Sequence, residues 1–328
     1  MQVKILIIVI LLQSLTVAGK NLNGFEMSQG IPTFSIPFYN KNLQYYGFAL
    51  IDCGWDDPND NEVKSTYVDE VSGFTNTGQM CVFSETELIS ERLTVFNQAG
   101  LKALLHVEPI LFELTQDSST PSGAKLSLRP NALQLWTQFF NRNRDVLTLQ
   151  YITAIYVADE PKWNGLELTD FVQALEIIKT SLPLIPTLAI EAYPVVDQIM
   201  VPDLLDWVGF DRYDTLDPTK DSTWLSDLNA VRSARTRDDQ KIVIVASTQW
   251  LPFYQTDAGV SPSDTGAVAY NYYKLASSDP DVIALIGYLW PGGLDDHEQL
   301  GARNLPNNVL LILEQTGQLV IENYHPPP

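Results

Sequence analysis

Ile152-Thr153-Ala154-Ile155-Tyr156-Val157-Ala158-Asp159-Glu160-Pro161 decides the fold. The run is apolar, β-branched and aromatic until it ends in two adjacent carboxylates and a proline. A continuous apolar run is what a parallel strand covered on both faces requires, and Pro161, lacking an N–H, cannot continue a central ladder. The stretch reads as a buried strand with Asp159 and Glu160 at its carboxyl end. In barrels of alternating strands and helices, that end carries the site.

Working outward, runs of the same kind recur on both sides. Upstream lie Tyr45–Cys53, the weaker Gln79–Phe83 and Lys102–Val107; downstream lie Thr187–Ile190, Leu205–Phe210, Lys241–Ala246 and Val282–Leu289. Helix-like segments separate most of them: Glu85–Ala99, Asn131–Asp145, Glu167–Ser181, Ser222–Arg235, Ser263–Ser277 and Ala302–Gln315. Within Glu167–Ser181 and just beyond it, Leu168, Phe171, Val172, Leu175, Ile178 and Leu182 recur at three- and four-residue spacing, the stripe of a helix packed on a sheet. The Ser- and Pro-rich stretch after Glu108-Pro109 reads as a loop. Eight strand–helix units with no leftover domain predict an α/β chain closed into one (β/α)8 TIM barrel.

Met1 to about Gly19 has one early lysine, an apolar core from Ile5 to Leu12 and small residues at a cleavage point, so 1–19 reads as a signal peptide and 20–328 as the barrel. A secreted, extracellular protein without membrane insertion is the expectation. Forty acidic against 20 basic side chains give a net charge of −20, which excludes nucleic acid as a partner of choice. Cys53 and Cys81 could form one bridge in an oxidising compartment or remain two buried thiols on neighbouring strands. Gly54-Trp55-Asp56-Asp57-Pro58 has neither dinucleotide nor P-loop spacing, and no cofactor is expected. The acidic loop Asp56–Glu62 lacks EF-hand spacing and reads as solvated.

The third to sixth runs each end in a carboxylate: Glu108, Asp159 with Glu160, Glu191, and Asp211, while Asp52 nearly ends the first. Side chains at the carboxyl ends of barrel strands converge on one cavity. Crowded carboxylates cannot all ionise cheaply, so one keeps its proton while another stays charged. That division of labour is what glycosidic hydrolysis needs. Tyr193, Tyr213, Trp250 and Trp290 follow the later strands and could stack on a sugar face. A second possibility is a divalent metal held by His106 and Glu108 with Glu160, Glu191 and Asp211, as in a metal-dependent sugar isomerase or hydrolase. Against it, the only other histidines are His297 and His325, and no His-x-His or His-Glu-x-x-His pattern occurs.

Ala158-Asp159-Glu160-Pro161 resembles the Asn-Glu-Pro motif of clan A glycoside hydrolases, whose Glu is the general acid/base. Asp206-Trp207-Val208-Gly209-Phe210-Asp211-Arg212-Tyr213 looks like their sixth-strand pattern, and Trp290 matches the tryptophan that floors the sugar subsite. Two departures stand out. Asp159 replaces the family's Asn, and Gln249, in Ser247-Thr248-Gln249-Trp250, stands where the family carries its nucleophile. The Asp-Glu pair is also similar to barrels whose substrate N-acetyl group is the nucleophile, with Asp orienting and Glu protonating. The resemblance implies a glycosidase acting on an oligo- or polysaccharide, with Glu160 as acid, Asp159 as its partner, and Asp211 or Glu191 as second carboxylate. Trp290, Tyr213, Gln249, Trp250, His106, Glu108 and Asp52 are the expected substrate-binding residues. A barrel that binds glycans without cleaving them is the alternative that Gln249 supports.

Overall fold

The computed structural model describes residues 42–255 and 259–322; the signal peptide expected over 1–19 lies outside them. Ten strands are present: β1 Tyr45–Phe48, β2 Thr77–Cys81, β3 Lys102–His106, β4 Phe112–Gln116, β5 Ala124–Leu128, β6 Ile152–Asp159, β7 Thr187–Ala192, β8 Trp207–Asp211, β9 Lys241–Ser247 and β10 Val282–Tyr288. Eight form one sheet in the order β1-β10-β9-β8-β7-β6-β3-β2, and every ladder in it is parallel. Helices lie between the strands, as in a (β/α)8 barrel. Among the described residues, no helix is long and apolar enough to cross a membrane.

The period-two rule of strands sorts the side chains into two layers. Leu104, Ala154, Tyr156, Leu188, Ile190, Trp207, Val243, Val245, Ala284 and Ile286 fill the barrel interior. Their alternate neighbours, among them Leu105, Ile155, Ala189, Val208, Ile244 and Leu285, join the larger core under the helices. Leu168–Ser181 buries Phe171, Ala174, Leu175, Ile177 and Ile178 there, whereas Leu168, expected in the stripe, sits at the exposed helix start.

Closure falls at the seam between β1 and β2, where little strand ladder forms. Asn76 Oδ1 accepts from Tyr46 N (2.9 Å), Asn76 Nδ2 donates to Gln44 O (2.8 Å), and Gln79 Oε1 accepts from Leu50 N (3.0 Å). Side-chain amides thus stand in for missing backbone partners. A Cβ at Gly47 would lie 2.0 Å from Thr77 O, so this approach of the two strands requires glycine. The Cys53–Cys81 disulfide ties the same seam, with Cα atoms 4.6 Å apart. Closing a 28-residue separation is worth roughly 3–4 kcal/mol of chain entropy.

Two expected elements differ. The helix predicted from Glu85 begins at Ser90, because Asn143 pins the preceding segment, accepting from Ile89 N (3.0 Å) and donating to Glu87 O (2.9 Å). The predicted loop after Glu108 contains the antiparallel hairpin β4–β5, whose first strand is exposed after Phe112 and so carries no apolar pattern to announce it.

Candidate active site

β6 ends at Asp159, and Glu160 follows with φ 49°, a left-handed conformation that costs a non-glycine residue roughly 1 kcal/mol or more. Pro161 then starts a tight turn closed by Asn164 N donating to Glu160 O (2.8 Å) and Leu166 N to Pro161 O (2.8 Å). The turn turns the chain away from the barrel mouth and leaves the Glu160 side chain at it.

Around Glu160 stand three aspartates, each accepting a hydrogen bond from a tyrosine hydroxyl. Tyr156 donates to Asp159, Tyr213 to Asp211 (3.1 Å), and Tyr288 to both oxygens of Asp295 (2.9 and 3.0 Å). Tyr213 and Tyr288 stack with ring centroids 5.0 Å apart. Burial raises Glu160 well above the usual carboxylate range, and the charges of Asp211, Asp159, Glu191 and Asp295 raise it further. Burial also raises Asp211, Asp159 and Asp295, but in each the tyrosine bond pulls the other way. Among the described residues, no hydrogen bond offsets the rise at Glu160. Of the four, Glu160 is therefore the carboxyl best placed to hold a proton.

Glu108 and Glu191 reach the same segment differently. Glu108 Oε2 accepts from Asp159 N (2.7 Å), and burial and the Asp159 charge push its carboxyl up to about 8. Glu191 follows lumen-facing Ile190, so alternation turns it to the outer layer, where it is 1% exposed. There it accepts from Lys162 N (2.8 Å), Trp163 N (3.1 Å) and Ala192 N (3.1 Å). Burial raises it and these bonds lower it, leaving it at about 7. His106 packs on Tyr156 (centroids 4.7 Å), its Nε2 4.0 Å from Glu108 and without a hydrogen-bond partner; burial holds it down at about 4. Among the described residues, no group of three or more His, Cys, Asp or Glu side chains is arranged to hold a metal ion.

The structure thus gathers Glu108, Asp159, Glu160, Glu191, Asp211, His106 and Tyr213. It separates the others. Asp52 is ion-paired to Arg92 (2.7 Å), which also donates to the carbonyls of Asp52 and Cys81 and so belongs to the seam. Trp290, expected as the sugar floor, is 5% exposed, packs on Phe48 and Phe74, and donates to Glu70 (2.7 Å). Its ring is core. Trp250 donates through Nε1 to Val260 O (2.9 Å) and packs, half-buried, against the core under the helices. Gln249 is fully buried and receives a hydrogen bond from Gln299, which also donates to Asp295 (2.7 Å). Asp295 and Tyr288 were missed by sequence reasoning. The signal for Tyr288 was its lumen phase on β10, while Asp295 lies in a polar loop where one more acid carries no information.

A family 113 glycoside hydrolase, a β-1,4-mannanase, superposes with TM-score 0.53 at 10% identity, over 86% of this chain and 99% of its own. An α-amylase from Anoxybacillus gives 0.55 at 10% identity, over 86% and 79%. The chain shares its (β/α)8 barrel fold with these enzymes. A β-glucuronidase from an uncultured Clostridium sp. gives 0.54 at 11% identity, over 84% of this chain and 50% of its own. Neither a protein-family model nor a curated protein matches the sequence.

Proposed function

We propose that the chain is a glycoside hydrolase acting on an oligo- or polysaccharide, with Glu160 as general acid. The observation that carries this reading is the distribution of hydrogen bonds: three aspartates have a tyrosine hydroxyl to favour their charged form, and Glu160 alone has none. A carboxyl that keeps its proton near neutral pH can protonate a glycosidic oxygen as the bond to the anomeric carbon breaks. Asp211 is the second carboxylate. Its charge is the largest electrostatic influence on Glu160, and the Tyr213 bond offsets part of the burial that pushes Asp211 up to about 8, favouring the ionised form that the positive charge developing at the anomeric carbon requires. Glu191, the competing candidate, has both oxygens committed to backbone N–H groups.

Fold likeness to carbohydrate-cleaving barrels and the absence of any Lys or Arg ion pair to these carboxylates among the described residues agree with a neutral sugar substrate. The Cys53–Cys81 bridge and the amino-terminal segment support secretion. The test is hydrolysis of a panel of aryl glycosides and polysaccharides, N-acetylhexosaminides included, by wild type and Glu160→Gln, with and without chelator. Chelator-resistant turnover that disappears in the variant is expected. Full activity in Glu160→Gln would remove it from the acid's role, and glycan binding without turnover by wild type would favour a binding barrel.

A further inference from the structure

We infer that Glu191 is a positioning residue for Glu160: from the outer side of β7 its carboxylate grips the turn that Glu160 opens and fixes the left-handed backbone there. The inference rests on the reading of Glu160 as the acid. A turn that begins with proline leaves its next two N–H groups without partners inside the turn, as at the start of any helical segment. Here those groups belong to Lys162 and Trp163, and Trp163 is buried. The residue at the head of a turn ordinarily caps such donors with its own side chain. In this chain Glu191 caps them from a neighbouring strand, Oε2 on Lys162 N and Oε1 on Trp163 N, and the Glu160 carboxyl stays free for a ligand.

The rest of the surroundings serve the same end. Glu108 holds Asp159 N from the opposite side, Ile190 O accepts from Glu160 N (2.7 Å), and Ser122 and Leu126 of the hairpin segment donate to Trp163 O and Asn164 O (3.2 and 2.7 Å). Among the described residues, Glu191 is the only side chain that accepts from the turn's N–H groups, and it accepts from two of them. Its third bond, from Ala192 N, locks its own rotamer. The strain at Glu160 is thus held by a carboxylate that itself never reaches the substrate.

The experiment compares wild type, Glu191→Gln and Glu160→Gln by hydrogen–deuterium exchange of the 160–166 segment and by steady-state kinetics. An amide at 191 keeps one acceptor but sets an NH2 against a backbone N–H. Exchange over 160–166 is expected to rise about tenfold or more, with the barrel strands unchanged. In the same variant kcat falls about tenfold or more while KM stays within about threefold, the mark of a misplaced acid rather than lost binding. Unchanged exchange at 160–166 overturns the inference. So does Glu191→Ala activity restored by azide with release of a glycosyl azide, since that would make Glu191 the nucleophile. Should Glu191→Gln unfold, Glu191→Asp carries the same readouts, with intermediate exchange expected and a wild-type rate contradicting the role. Absence of turnover in wild type would defeat the proposed function, while exchange would still decide the fate of Glu191.

Discussion

Asp57, Asp60 and Glu70, in the loop after β1, and Asp159, Glu160, Asp211 and Asp295, around the ends of β6, β8 and β10, are two gatherings of acid on one barrel that differ in what faces them. The first surrounds a cation. Arg303 donates to Glu70 through Nε and Nη2 (3.0 and 2.9 Å) and to Asp60, and Lys64 adds a bond to Glu70 (2.8 Å). Burial alone would raise Glu70, but bonds from Arg303, Lys64 and Trp290 outweigh it and hold the carboxyl below its usual range. The second gathering faces tyrosines, other acids and the neutral amide of Gln299, and every member is pushed up. Acid content alone therefore marks no site. What marks this one is that no Lys or Arg among the described residues pairs with it: the first group staples the segment after β1 to the loop after β10, and the second has every carboxyl pushed toward its protonated form.

The sharpest way to break this contrast is a pair of substitutions. Glu160→Gln should lower kcat about a thousandfold, with no loss of thermal stability, because the amide has the shape of the protonated acid. Arg303→Met should do the reverse. Arg303 is 12% exposed, and leaving the buried Asp57 and the partly exposed Glu70 without it should cost about 2 kcal/mol in urea denaturation while kcat stays near wild type. If both variants lost activity and stability together, the two groups would not be distinct in role.

A smaller effect separates the groups by the sign of their pH dependence. Asp211 at about 8 in the second group and the adjoining Glu108 at about 8 and Glu191 at about 7 lie above the roughly 4 of an unfolded carboxylate, so the folded state binds more protons in between. Their contribution to stability is complete below the unfolded value and is lost as pH rises through 7 to 8. Asp60 and Glu70 are lowered, so theirs is present above the unfolded value and lost as pH falls toward and below it. Tm should therefore climb as pH drops from 8 to about 5 and then decline in stronger acid. A Tm that rose steadily from pH 5 to 8 would mean that the second group is neutralised by something other than its own protons.

The difference between the groups also explains what the sequence disclosed. The barrel was legible, since each apolar run is long enough to be a strand and four of them end in acid. The gathering of Glu108, Asp159, Glu160 and Asp211 followed from strand phase. Glu191 was legible as an acid near the site but not as one facing outward, because the expected strand ended at Ile190 and its phase was not followed onward. Trp290 misled for a related reason: β10 ends at Tyr288, and beyond a ladder's end alternation no longer tells core from lumen. The solvated reading of Asp56–Glu62 holds for Asp56, Pro58, Asn59, Asn61 and Glu62 but not for Asp57 and Asp60, because Arg303 lies 243 residues from Asp60 and no local pattern pairs them.

The most direct test of the proton's location is a carboxyl 13C titration of Glu-labelled protein, with Glu160→Gln used to assign the resonance that disappears. The account predicts a Glu160 signal still protonated at pH 7 and titrating well above the ordinary glutamate range. A Glu160 carboxyl that ionises near 4 would contradict it, and the general acid would have to be sought among the other carboxylates at the mouth.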